Sequence, residues 1–193
     1  LSAFKESDAA RYFGREVQIE RLWQRFQSLY EQSEVPRFLP ILGPSGCGKS
    51  SLARAGFIPE LARMPLPGKE RMRVAVMVPG ARPLEALAGV LAKAVTGEAF
   101  PLDETKKFKK SLQEPSEDGE YEGLRLIANL IPDIRNTPLV ILVDQFEEVY
   151  SLCDDVEQRQ AFIGNLLHAA SESTDEVSVV ITLRSDFLGE TQR

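Results

Sequence analysis

The run Gly43-Pro44-Ser45-Gly46-Cys47-Gly48-Lys49-Ser50 constrains this chain more than any other feature, because it closes an apolar stretch and opens a helical one. It satisfies G-x-x-x-x-G-K-[ST], the pattern of a loop that cradles phosphate. Each residue type has a physical task there. The glycines let the backbone turn until successive N–H groups face an anion, Lys49 brings charge to the β and γ phosphates, and Ser50 offers a hydroxyl to Mg²⁺. Pro44, Ser45 and Cys47 complete the loop. Ser51 opens the following helix, whose positive N-terminal dipole adds to the attraction for an anion.

Around this loop, strands alternate with helices. Arg37 to Gly43 (RFLPILG) is the apolar strand that feeds the loop, and SSLARAGFIPELA after it reads as a helix. Upstream, Ile19, Leu22, Trp23, Phe26, Leu29 and Tyr30 fall at helical spacing and predict an amphipathic helix of about four turns, ending before Pro36. Arg73 to Pro79, Pro138 to Val143 and Val177 to Leu183 are apolar runs without alternation, as expected of strands covered on both faces. Helices are predicted over Pro83 to Thr96, stopped by Gly97, over Tyr121 to Ile131, stopped by Pro132, and over Val156 to about Ser173. Asp103 to Glu120 is so charged and turn-rich that it reads as a mobile surface excursion with at most one helical turn. This order implies a mostly parallel α/β sheet whose ligand site lies off the carboxyl ends of the strands.

Composition narrows the function classes. At 193 residues and 43% hydrophobic, the chain suits one globular domain with an adequate core. The formal charge of −6 argues against a general nucleic-acid binder, which needs a basic surface. No apolar run approaches the roughly 20 residues of a membrane span. Cys47 and Cys153 lack metal-site spacing, His168 is the single histidine, and a reducing cytoplasmic setting fits best. The chain begins at Leu1 without Met, which reads as a piece of something longer.

Two further strand ends carry chemistry. Leu139 to Asp144, followed by Gln145-Phe146-Glu147-Glu148, is an apolar strand delivering a carboxylate at its tip. Asp144 would hold Mg²⁺ through water together with Ser50, and Glu147 or Glu148 would polarise the attacking water. Thr182-Leu183-Arg184-Ser185-Asp186 closes the last strand, so Arg184 emerges on the same sheet edge as the phosphate loop, either to sense a γ phosphate or to pair with Asp186.

Tyr12-Phe13-Gly14-Arg15-Glu16, GPSGCGKSSLARAGFIPEL, PGARPLEALA, LVILVDQFEEVY and ITLRSDFLG, in that order, resemble the NTPase core of STAND proteins, the signal-transduction ATPases with numerous domains, and in particular its novel-STAND subgroup, which is related to AAA+ and NACHT ATPases. The resemblance implies a three-layer P-loop NTPase of the ASCE type over residues 1–193. Its parts would be a lead-in motif and helix (12–36), a phosphate-loop unit (37–63), a variable excursion (103–120), an Mg²⁺-binding strand (138–148) and a sensor strand (177–193). Gln145 stands where many AAA+ enzymes carry their catalytic Glu. The resemblance further implies ATP or ADP with Mg²⁺ as ligands, adenine contacts from the backbone around Tyr12 and Phe13, and Arg15 bracing that pocket or the phosphates. It also implies homo-oligomerisation in the ATP state and partners within the same chain. These are a fifth core strand, a helical lid and a winged helix expected beyond Arg193, with sensor or effector domains. A scaffold that binds nucleotide without turnover and an AAA+-type motor are the alternatives to an ATPase switch.

Overall fold

Alternation along the strands decides which face of the sheet each apolar side chain serves. The computed structural model describes residues 4–32, 35–64, 66–171 and 176–189. Four strands, β1 (Phe38–Gly43), β2 (Arg73–Met77), β3 (Leu139–Val143) and β4 (Val177–Arg184), form one sheet in the order β1-β4-β3-β2, and every pairing is parallel. The strand that feeds the phosphate loop and the strand that ends at Asp144 are therefore separated by β4 alone, the ASCE arrangement of a P-loop NTPase core. Leu139, Ile141 and Val143 with Val179, Ile181 and Leu183 face one core, while Val140, Leu142 and Val180 face the other.

The first core is closed by α4 (Pro83–Thr96), α5 (Leu102–Gln113), α6 (Gly123–Ala128) and α8 (Val156–Ser171). The second is closed by α1 (Glu16–Glu31), through Trp23, Phe26 and Leu29, and by the helix that follows the phosphate loop, through Phe57, Ile58 and Leu61. Burying side chains of this size contributes about 1.5–3 kcal/mol each. The central strands are buried throughout, save Arg184 at the end of β4, whereas β1, an edge strand, alternates and leaves Pro40 and Leu42 exposed. Pro40 is tolerated there because an edge strand leaves some N–H groups without a ladder partner.

Three expectations change. The segment read as a mobile excursion contains α5, three turns long, with Phe108 and Leu112 buried one turn apart against the first core. Its Glu, Lys, Leu and Gln residues are strong helix formers. Asp103 and Glu104 at its start and Lys110 near its end complement the helix dipole, and Lys109 pairs with Glu85 of α4 at 3.5 Å. The helix expected over Tyr121 to Ile131 shortens to α6, followed by turns. The helix after the phosphate loop is not uniform. It begins as α2 (Lys49–Ser51), passes through a π-helical run at Leu52–Phe57, and resumes as α3 (Ile58–Arg63). Ile58 N–H reaches back five residues to Ala53 O, and Pro59 has no N–H with which to make the ordinary four-residue bond.

One buried amide joins three helices. Asn165 of α8 accepts from Leu124 N–H at 2.8 Å and donates to Leu112 O at 2.8 Å and Ala161 O at 2.7 Å. This ties α5 and α6 to α8 with both ends of the amide satisfied. The expected last turn of α8, at 172 and 173, and the end of the sensor segment, at 190–193, lie outside the described residues. No described helix is long and apolar enough to cross a membrane.

Candidate functional site

Strand register sets the geometry of the site. Gly43 lies opposite Arg184, Val143 opposite Ile181 and Met77 opposite Val143, so the phosphate loop, Arg184 and Asp144 all leave the sheet at its carboxyl edge. In the loop, Gly46 (φ 75°) and Gly48 (φ 89°) occupy the left-handed region that turns amides toward a common centre. Lys49 Nζ folds back onto the loop, donating to Gly43 O at 2.8 Å and Pro44 O at 2.9 Å. Pro44, Ser45, Gly46 and Cys47 are exposed, and Gly48, Lys49 and Ser50 are half-buried behind them.

The lead-in motif lies against this loop. Gly14 N–H donates to Glu16 Oε1 at 3.0 Å, a bond that holds the Glu16 carboxyl below its usual range. The Arg15 guanidinium reaches Cys47 O at 3.4 Å. Phe4 N–H donates to Ser51 Oγ at 3.1 Å, and the rings of Phe4 and Tyr12 meet with centroids 5.7 Å apart. Gly56, in the π-helical run, allows this approach, because a Cβ there would stand 2.8 Å from Ile19 and 3.3 Å from the Tyr12 ring. Burial pushes the Tyr12 hydroxyl up, opposed by the charge of Arg15. Phe13 turns outward and is 77% exposed.

Asp144 continues the alternation of Val140 and Leu142, so it emerges on the face that carries the phosphate-loop helix. It is 1% exposed, yet both of its oxygens are engaged. Arg54 Nε donates to Oδ2 at 2.7 Å, and Thr182 Oγ1 donates to Oδ1 at 2.6 Å. Thr182 Oγ1 in turn accepts from Gln145 N–H at 2.9 Å, which leaves its own proton for Asp144. Gln145 itself takes φ 57°, an uncommon state for a residue with a side chain, and this bends the chain out of β3.

That bend separates the two glutamates. Glu147 Oε2 accepts from Arg184 N–H at 3.3 Å and so faces β4, the neighbour of the phosphate-loop strand. Glu148, the first residue of α7 (Glu148–Ser151), accepts from Gly80 N–H at 3.1 Å and faces β2, on the far side. Arg184 forks onto Asp186, with Nε to Oδ1 at 3.2 Å and Nη2 to Oδ2 at 2.6 Å, and its guanidinium lies 5.4 Å from the Phe187 ring centre. The hydrogen bonds from Arg184 hold the Asp186 carboxyl below its usual range, helped by the charge of Lys49.

The site thus gathers Lys49, Asp144, Glu147 and Arg184 at one edge, directs Glu148 away from the loop, and leaves Phe13 facing solvent. Sequence reasoning missed Arg54 and Thr182, the two partners of Asp144. Arg54 lies four residues after Ser50 and Thr182 interrupts an apolar strand with a hydroxyl, but nothing local in the sequence pairs either with Asp144. The donor set suits Mg²⁺, since Asp144 and Ser50 offer hard oxygen ligands.

The sequence model of the family described as Novel STAND NTPase 1 matches residues 1–193, and the chain belongs to that family of nucleotide-binding NTPases. A search of curated proteins finds no match.

Proposed function

We propose that this STAND-family module binds Mg²⁺·ATP at the carboxyl edge of β1, β4 and β3, hydrolyses it slowly, and thereby acts as the nucleotide switch of a multidomain signal-transduction ATPase. The observation that carries this reading is the register of the sheet, which brings the Gly43–Ser50 loop, Arg184 and Asp144 to one edge with a single strand between loop and carboxylate.

In this reading the loop amides from Ser45 to Lys49 and the dipole behind them hold the β phosphate. Lys49 exchanges its two carbonyl partners for β and γ phosphate oxygens, a gain because an ammonium binds an anion more strongly than a neutral carbonyl. Ser50 and Asp144 would hold the metal, which when bound neutralises charge building on the phosphates. Glu147 orients and deprotonates water on the loop side of the turn, and Arg184, released from Asp186, contacts the γ phosphate. Tyr12 and Phe13 border the adenine, with Arg15 fixing their segment to Cys47. Attached lid, winged-helix, sensor and effector domains, and assembly of copies in the ATP state, would convert occupancy into signal.

A second reading, a scaffold gated by nucleotide without turnover, is favoured by one observation: the candidate groups are satisfied by one another, Asp144 by Arg54 and Thr182, and Arg184 by Asp186.

Calorimetric titration with ATP and ADP, with and without Mg²⁺, tests the binding site. Lys49→Ala should weaken nucleotide by about 100-fold, the loss of a charge pair worth roughly 2–5 kcal/mol. Equal affinity in the variant would place nucleotide elsewhere. For chemistry, Glu147→Gln should reduce turnover by about 10²–10⁴-fold while sparing binding, and Glu148→Gln should leave turnover near the parent value. A larger loss in Glu148→Gln would reverse the assignment, and binding with no turnover in the parent would establish the scaffold.

A further inference from the structure

Arg54 is not among the residues assigned to phosphate or water above, yet it is the cation paired with the carboxylate on which the metal reading depends. Its Nε lies 2.7 Å from Asp144 Oδ2, and the pair is unequal in exposure: the aspartate side chain is 2% accessible, the arginine side chain 22%. Thr182 occupies the other oxygen. A carboxylate so deeply placed needs a positive partner, because an uncompensated charge in a low-dielectric interior is strongly disfavoured.

The location of Arg54 gives that contact a direction. Arg54 follows Ser50 by four residues, in the π-helical run of the same helix, and a cation held by Asp144 would meet the guanidinium already seated on Oδ2. Two like charges cannot both occupy that place at full strength. The arginine also borders a cavity of about 410 Å³ lined by Lys5, Ser7, Val76, Met77 and Val78, which gives the guanidinium a place to withdraw to.

We propose that Arg54 is a stand-in for the metal: without nucleotide it neutralises Asp144 through Oδ2, and Mg²⁺ accompanying a nucleotide takes over that charge as the arginine swings into the adjoining cavity. Arg54 is then a positioning residue that sets how much metal the site requires. It holds the Asp144 carboxylate in place in the empty state, and it opposes binding of metal until phosphate oxygens help to hold the ion. The inference rests on the phosphate-loop reading above and goes beyond it by giving the site a threshold.

The test uses Mn²⁺ in place of Mg²⁺, with its affinity read by electron paramagnetic resonance in the presence of saturating ADP, on the parent chain, Arg54→Gln, Arg54→Lys and the double variant Arg54→Gln with Asp144→Asn. Arg54→Gln should bind Mn²⁺ more tightly, by on the order of 5–150-fold, the usual range of coupling between two linked sites. Arg54→Lys, which keeps the charge, should stay close to the parent. The double variant should lose the gain, since the carboxylate that arginine and metal compete for is gone. A second readout guards against a folding defect: bound Mn²⁺·ADP should raise the melting temperature of Arg54→Gln by more than it raises that of the parent. Unchanged or weaker Mn²⁺ affinity in folded Arg54→Gln overturns the proposal. Should Lys49→Ala bind ADP as the parent does, the phosphate-loop reading itself has failed and the proposal falls with it; loss of ADP in Lys49→Ala without tighter metal in Arg54→Gln condemns the arginine alone.

Discussion

β1 and β3 deliver opposite charges to the same edge of the sheet, one strand apart, and the two charges are kept in different ways. The Lys49 ammonium is half-buried and rests on two backbone carbonyls of its own loop. The Asp144 carboxylate is buried and held by two side chains from other elements, Arg54 and Thr182. Neutral carbonyls release a cation readily to a polyphosphate, and on release they return to water. A buried carboxylate that loses its guanidinium keeps its charge in a poor solvent unless another cation arrives. The lysine is therefore held by groups that water can replace and the carboxylate by groups that water cannot, although both lie at one edge of the sheet.

The sharpest way to break this contrast is to remove each cation and measure folding rather than binding. Arg54→Ala should cost about 3–5 kcal/mol in urea unfolding, because it strands Asp144. Lys49→Ala should stay within about 0.5 kcal/mol of the parent, because its carbonyl partners lie where water reaches them. Similar losses for both would show that the two ends are held alike.

A smaller effect should follow at Thr182, whose hydroxyl serves both Asp144 and Gln145 N–H. Thr182→Val removes a donor and an acceptor of nearly the same shape and should cost about 1–3 kcal/mol in the same assay. A cost near zero would mean that Arg54 alone retains the carboxylate.

The smallest effect is expected in acid, on the loop side. Asp186 is held below its usual range, chiefly by the hydrogen bonds from Arg184. A depressed folded value makes the contribution to stability complete above the unfolded value of about 3.9, and it is lost as pH falls from there through the folded value. Melting temperatures recorded over that acidic window should fall less steeply for Asp186→Asn than for the parent. Parallel curves would remove Asp186 from the account.

Much of this architecture is legible in the sequence, for identifiable reasons. The strands β2, β3 and β4 are continuous apolar runs, and the phosphate loop is a pattern with a fixed chemical meaning, so both read out locally. The partners of Asp144 do not, because Thr182 is 38 residues and Arg54 90 residues away from it, and only the insertion of β4 beside β3 brings them together. The two glutamates are equivalent as text. Their separation depends on the left-handed backbone of Gln145, which no composition rule would assign to that residue. The helix α5 is hidden in the sequence by its charge density, which masks the four-residue spacing of Phe108 and Leu112.

The Asn165 amide gives that helix an unexpected standing. A charged segment on the surface would ordinarily exchange its amide hydrogens at the rate of a loop, opening by itself many times between global unfolding events. Here the last turn of α5, the first turn of α6 and the middle of α8 share one hydrogen-bonded side chain, and none of the three can leave without exposing an unsatisfied amide in the core. In deuterated solvent the protected amides of all three helices should therefore exchange as one cooperative unit.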